Sequence, residues 1–383
     1  MRLNPLLEAM AEYPMSELQE RKARLLADGV QVFDFSVGDP VEPTPGFIRD
    51  AAAAAVPIVS QYPSVRGTQA LRQAAAGWLQ RRFSVEVDPE RHLLPAGGSK
   101  EAIFHLPFAF LDTGGDRRVV LYPDPGYPVY DRGALFAGGE PIGLPHVAEN
   151  GYQPEPSDLP AAVADRVAIV WVNYPHNPTG AVADAGYLAR VLAWARERDV
   201  LVCSDECYAD LYYDVPPVSL LEVAAGDFTN LLVFHSTSKR SGMTGYRTGF
   251  MVGDPAAIDA LRKLRPSIGV ASPVYTDAAA AAAWADDGHA ADRRTIFRAK
   301  RDVLREFFDR AGLQLAASEA TFYLWVAVPG GNDEAFSARL LEHGVLVTPG
   351  RSFGTHGKGY VRLALVPTVE ECLAAVVAMQ GAL

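Results

Sequence analysis

A chain of 383 residues with 49% hydrophobic side chains is long enough to bury a large core and, on size, to divide into two domains. Its 46 acidic against 35 basic residues leave a net charge of -11, which argues against a broad nucleic-acid-binding face while leaving a local basic pocket open. Three cysteines, Cys203, Cys207 and Cys372, cannot all pair, and so few thiols in so long a chain read as those of a reduced, cytoplasmic protein.

The chain starts Met1-Arg2-Leu3-Asn4-Pro5, and Glu8, Glu12, Glu17 and Glu20 interrupt any apolar stretch of the kind a signal peptide needs, so secretion is not expected. Alanine runs at 51–55 and 278–283 predict helices that are too short to cross a bilayer, so no membrane partner is expected. Residues 71–82 have helical spacing, with Leu71, Ala75, Trp78 and Leu79 on one face. Apolar runs at 119–122, 168–172, 200–203 and 231–234 predict short buried strands, and a helix over 185–198 lies between two of them. That alternation predicts an α/β fold whose mostly parallel sheet is covered on both faces.

After about Asp277 the pattern changes to a long helical stretch through Arg310, strands over 323–328, 345–350 and 360–365, and a closing helix over 369–380. A smaller α+β domain joined by the N-terminal arm is expected. The predicted division is a large domain over 46–277 and a small one made of 1–45 and 278–383.

Ligands of parallel sheets gather at the carboxyl ends of strands, and the polar motifs of this chain fall there: 123–127, 173–180, 204–208 and the loop around Lys239. The run Ser236-Thr237-Ser238-Lys239 follows an apolar strand and precedes a Gly-rich turn and Arg247. An ε-amine forms an imine only when deprotonated, so such a lysine needs neighbours that lower its pKa, and Arg247 is a candidate. Ser236, Ser238 and Arg247 also offer hydrogen bonds and charge to a dianionic phosphate. The pattern points to a Schiff-base lysine beside pyridoxal phosphate; the plainer reading is that Lys239 and Arg240 are solvated charges on a polar loop.

Other strand-end residues suit the same coenzyme. Asp205 can keep a pyridine nitrogen protonated, or can simply cap the next segment in water. Tyr208 and Asn177 can each donate to a phenolate oxygen, although Asn177-Pro178-Thr179-Gly180 is also a turn sequence and Tyr208 also reads as an interior aromatic. Gly97-Gly98-Ser99-Lys100 opens a helical stretch whose backbone amides can hold phosphate, and Tyr127 can stack on the ring. Cys203 and Cys207 flank Asp205 without a matching metal cluster, so both are expected to fill core and no metal is expected.

Taken in order, 177–180, 204–208, 236–239 with Arg247, and Arg362 resemble the class I/II aminotransferases of fold type I, a likeness that runs from about Ser36 to Arg362. The resemblance implies a large domain with a mostly parallel seven-stranded sheet covered by helices, plus the smaller α+β domain. It implies Lys239 as the Schiff-base lysine and proton shuttle, Asp205 on the pyridine nitrogen, and Asn177 with Tyr208 at the phenolate oxygen. It places Gly98, Ser99, Lys100, Ser236 and Arg247 around the phosphate, and Tyr127 on the ring, where many relatives have another aromatic. It gives Arg362 the substrate α-carboxylate, with Gly38 and Asn177 beside it. Tyr62 corresponds to a tyrosine that reaches the phosphate of the neighbouring subunit, which implies a homodimer with shared active sites. The implied activity is ping-pong amino transfer between an amino acid and a 2-oxo acid.

Residues 4–7 with Tyr13-Pro14, the run 62–74 and 238–241 are similar to N-succinyldiaminopimelate aminotransferases of bacterial lysine biosynthesis, which implies N-succinyl-LL-diaminopimelate with 2-oxoglutarate and glutamate. Arg66, Arg240 and Arg265 are candidates for a distal carboxylate or are solvated charges. Aspartate, alanine and aromatic substrates stay open, as does a pyridoxal-phosphate-dependent carbon–sulfur β-lyase. A coenzyme-sensing transcription regulator would need a DNA-binding extension, for which the chain before Ser36 is too short.

Overall fold

Strands buried on both faces are apolar at every position, and the runs at 119–122, 168–172 and 231–234 obey this. In the computed structural model, which describes residues 1–9 and 16–382, they lie inside Val119–Asp124, Val167–Asn173 and Leu231–Ser236. Glu12 and the Tyr13-Pro14 pair are outside the described residues. The seven-stranded sheet has the order Leu93–Ala96, Gly249–Gly253, Leu231–Ser236, Leu201–Asp205, Val167–Asn173, Val119–Asp124, Glu140–Pro145. Only Gly249–Gly253 runs antiparallel to its neighbours.

The pleat sends alternate side chains to opposite faces. Val170, Val172, Val202, Leu231 and Val233 point to one core, which includes Leu71, Trp78 and Trp284. Ile169, Trp171, Cys203, Leu232 and Phe234 point to the other, with Ile103 and Tyr130. Cys203 is core, as expected.

A second unit carries a four-stranded antiparallel sheet in the order Thr348–Pro349, Tyr360–Ala364, Tyr323–Ala327, Leu315–Ala316. Its core takes Phe297, Leu304 and Phe308 from helix Gly288–Arg310 and Cys372, Ala375 and Met379 from helix Val369–Gln380. The N-terminal arm joins it through Phe33–Asp34, which pairs in parallel with Val345–Leu346.

Two expectations change. The stretch expected as one long helix is two, Val274–Ala285 and Gly288–Arg310, because Asp286 leaves the helix and its carboxylate accepts from the His289 amide at 2.9 Å, opening the next one. The run 345–350 is likewise two short strands in different sheets. The expected division at 277/278 falls inside helix Val274–Ala285, whose Ala280 and Trp284 pack in the large sheet's core.

Candidate active site

The carboxyl ends of the central strands open into a cavity of about 540 Å³. The large sheet supplies Asp205, Asn173, Ser236 and Lys239 to its wall, and the second unit supplies Tyr323, Phe353 and Arg362. Parallel register sets Asn173 beside Asp205, and the Asn173 carboxamide donates to the Asp205 carbonyl at 2.8 Å.

Asp205 ends its strand on the cavity face and is buried. Burial pushes its carboxyl up, and hydrogen bonds from Cys207 and Tyr130 oppose that rise. The Cys207 amide donates to Oδ1 at 3.2 Å and the Tyr130 hydroxyl to Oδ2 at 2.7 Å. The capping reading of Asp205 in water does not survive this burial. Tyr130 escaped the sequence reading because an aromatic inside a helix looks like core; its position three residues after Tyr127 was the available signal.

Lys239 sits in the single helical turn Thr237–Arg240, capped by Ser236, whose Oγ accepts from the Ser238 amide at 3.1 Å. Its Nζ donates to the Gly38 carbonyl. The pKa falls from 10.5 to about 8, chiefly through burial, with Asp39 opposing and the Arg362 and Arg247 guanidiniums lowering it further. Arg247 therefore acts in the expected direction, as a smaller contributor than burial. Arg240, beside it, is only 2% exposed, so neither residue is a solvated loop charge.

Around Arg247 the chain forms a cradle. The residue adopts a left-handed φ of 55° and donates from Nη1 to the Thr244 carbonyl at 2.9 Å. A Cβ on Gly98 would fall 2.5 Å from Arg247 Nη2, and Gly98 has a φ of +83°, so only glycine fits there. Gly98 shapes the cradle from behind; Ser99 and Lys100, which open helix Ser99–His105, line the cavity with Ser238 and Tyr127.

At the opposite end Arg362 donates from Nη1 to Asn177 Oδ1 at 3.0 Å and from Nη2 to the Ser36 carbonyl at 2.8 Å. Its Cζ lies 4.3 Å from the Tyr323 ring centre and 4.4 Å from that of Phe353. The Asn177 carboxamide oxygen is thus engaged, and its NH₂ is the group that can donate elsewhere. Tyr208 and Tyr323 hydroxyls stand 3.2 Å apart, and a Cβ on Gly38 would fall 2.3 Å from Tyr323 Oη.

The three candidate arginines stand outside this chain's own cavity wall, each paired with a carboxylate. Arg240 is buried against Asp210 at 2.6 Å and Asp287 at 2.7 Å, and Arg265 is buried against Glu101 at 2.9 Å. Arg66 pairs with Glu90 at 2.5 Å. None of the three lines the cavity. Cys207, expected as core, does line it. Tyr62 is fully exposed and stands outside the wall.

A half-buried amine with lowered pKa, a buried carboxylate and an arginine–serine cradle in one cavity form a donor set that fits pyridoxal phosphate. The chain belongs to the family aminotransferase class I and II, whose profile matches residues 30–379. It is 40% identical over 378 residues to the LL-diaminopimelate aminotransferase of Desulforudis audaxviator (strain MP104C), across 97% of this chain and 95% of that one. An aminotransferase structure from Neisseria meningitidis Z2491 superposes with a TM-score of 0.92 at 32% identity, covering 99% of each chain. A probable N-succinyldiaminopimelate aminotransferase from Thermus thermophilus does so with a TM-score of 0.89 at 30% identity, covering 96% of this chain and 99% of that one. The protein is a pyridoxal-phosphate-dependent aminotransferase of fold type I. The N-succinyl compound expected from sequence appears in the name of a structural neighbour, while the relative at 40% identity is named for LL-diaminopimelate without it.

Proposed function

We propose that this aminotransferase reversibly moves an amino group between LL-diaminopimelate and 2-oxoglutarate, the latter becoming glutamate, in lysine biosynthesis in the cytoplasm. The observation that carries the donor is the 40% identity, over nearly the whole of both chains, to a relative of that name. N-succinyl-LL-diaminopimelate is the second reading, favoured by the Thermus neighbour.

Pyridoxal phosphate, when bound, supplies the electron sink for the charge left as the α-proton departs. Asp205 pairs as an anion with the pyridine nitrogen, held in place by Tyr130. Asn177 and Tyr208 donate to the phenolic oxygen, and Tyr127 stacks on the ring. Ser99, Lys100, Ser236 and Arg247 hold the phosphate, with Gly98 making room for the guanidinium. Arg362 grips the α-carboxylate, next to Gly38 and Asn177. Lys239, its amine drawn down to about 8 by burial, would serve as the base that takes the α-proton and the acid that gives it back. Two half-reactions on one site give ping-pong kinetics.

The active unit in this reading is a homodimer. Ile58, Val59 and Tyr62 stand exposed on one segment, which suits contact with a second copy whose phosphate site Tyr62 reaches. Residues 1–45 and the part from Asp286 onward act as the small domain, with helix Val274–Ala285 kept with the large one.

The test mixes the cofactor-loaded protein separately with LL-diaminopimelate, its N-succinyl derivative, glutamate, aspartate, alanine and phenylalanine, and follows the absorbance change that accompanies amino transfer to the cofactor. LL-diaminopimelate and glutamate are expected to react. Reaction with aspartate or phenylalanine alone would remove the proposed donor, and pyruvate and ammonia from cystathionine without an oxo acid would favour a β-lyase.

A further inference from the structure

Asp124 belongs to the strand-end motif 123–127 and has no place in the chemistry above. It ends the Val119–Asp124 strand, is 5% exposed, and does not line the cavity. A carboxylate buried to this degree needs donors, and those of Asp124 come from the other unit. Thr355 Oγ1 donates to Oδ2 at 2.5 Å, 231 residues along the chain. The His356 amide donates to Oδ1 at 3.2 Å, and His356 Nδ1 lies 3.0 Å from Oδ2. Two residues on, the Gly126 amide donates to the Phe353 carbonyl at 2.8 Å.

The segment gripped in this way delivers Ser352 and Phe353 to the cavity wall. Phe353 lies against the Arg362 guanidinium and edge-on to Trp325, with ring centres 5.9 Å apart. An arginine is a long, flexible side chain; an aromatic face beside it narrows its orientations and keeps water off, which strengthens a carboxylate pair.

We propose that Asp124 is a positioning residue of the substrate site: it ties the 350–357 segment to the end of the large sheet so that Phe353 rests on Arg362 and holds the guanidinium for a carboxylate. The inference rests on the reading of Arg362 as the carboxylate anchor. Tyr127, from the same strand end, and Phe353 are then set against each other by one clasp, so the cofactor's stacking partner and the substrate's anchor keep a fixed relation.

The test measures transfer from LL-diaminopimelate to 2-oxoglutarate by the cofactor-loaded enzyme, and the half-reaction with L-glutamate alone through the cofactor's absorbance change, together with amide hydrogen exchange over 350–357. Asp124→Asn is expected to speed exchange in that segment and to raise KM for each reacting substrate about tenfold, the size of one lost charged hydrogen bond. kcat and the absorbance of the bound cofactor are expected to stay within about twofold. The double change Thr355→Ala/His356→Ala, which alters only the exposed side of the clasp, is expected to do the same even where Asp124→Asn does not fold. Thr355→Ser is expected to behave as the unaltered enzyme. Combined with Phe353→Leu, Asp124→Asn is expected to add little to the larger single effect.

Faster exchange with unchanged KM overturns the inference, as does full additivity with Phe353→Leu. A joint fall of kcat and cofactor absorbance also overturns it, since that marks a general loss of structure. Arg362→Lys separates the two levels: if it leaves KM unchanged the anchor reading itself falls, whereas if it raises KM and the clasp variants do not, only the role of Asp124 falls.

Discussion

Replacing Lys239 with methionine removes a cation that the folded chain holds against its preference. Its amine titrates at about 8 instead of 10.5, mainly because burial disfavours the charged form. The difference of about 2.5 units, at 1.36 kcal/mol each, amounts to about 3 kcal/mol, from which the lost hydrogen bond to Gly38 subtracts about 1 kcal/mol. Below pH 8 the amine is protonated in both folded and unfolded chains, so the folded state carries the whole penalty. Between 8 and 10.5 the unfolded chain holds a proton that the folded one has released, and stability rises with pH. Above 10.5 the penalty is gone. The cofactor-free Lys239→Met variant is therefore expected to be more stable than the original chain by about 2–3 kcal/mol at pH 7. For 383 residues that corresponds to about 3 °C in melting temperature. The advantage should close across pH 8–10.5, while amino transfer falls by about 10²-fold to 10⁴-fold or more. Melting curves of both cofactor-free proteins at pH 7, 9 and 10.5 decide it. A gap independent of pH, or a variant less stable at pH 7, would refute burial as the source of the lysine's reactivity.

Tyr130→Phe keeps the ring stacked on Trp171 at 5.0 Å and deletes the donor to Asp205; kcat is expected to fall about tenfold and the cofactor to bind less tightly, read by steady-state kinetics and cofactor titration. At Asp210 burial pushes the carboxyl up, but Arg240 and Arg82 outweigh it and hold the group below its ordinary value. Its contribution to stability is present above the ordinary carboxylate pKa and is lost as pH falls through the lowered one. Asp210→Ala removes a carboxylate from buried Arg240, which keeps Asp287, and from half-buried Arg82, and is expected to cost about 2–3 kcal/mol in urea unfolding at pH 7. Gly38→Ala puts a methyl into the space of the Tyr323 hydroxyl and is expected to lower kcat/KM by up to about 10²-fold, with little change in melting temperature.

The parallel strands were legible because a strand buried on both faces has to be apolar at each position, and 168–172 and 231–234 are. The places where the reading failed are those where a few residues change the direction of the chain. Asp286-Asp287-Gly288 breaks a helical stretch within three residues, too short an interruption to stand out from the periodicity on either side, and Val347 separates Val345–Leu346 from Thr348–Pro349, which pair in different sheets. Buried ion pairs were illegible for a related reason. Arg265 finds Glu101 across 164 positions and Arg240 finds Asp210 across 30, so nothing local marks either arginine as internal.

Within the cavity a similar division separates reaction from substrate. Asp205, Lys239, Arg247 and Arg362 stand out in sequence because charge at a strand end is conspicuous, and in the proposed reading each would serve by its charge. The rest of the wall includes Val37, Ser352 and Phe353. These side chains are uncharged and are set in place by contacts from distant parts of the chain, as Phe353 is through Gly126. An apolar residue held by a remote contact reads in sequence as any other core or loop position. Pyridoxal-phosphate chemistry was therefore readable from residue types, and amino transfer from the resemblance they carry, whereas the substrate depends on shape, and shape appears only once the two units have been brought together.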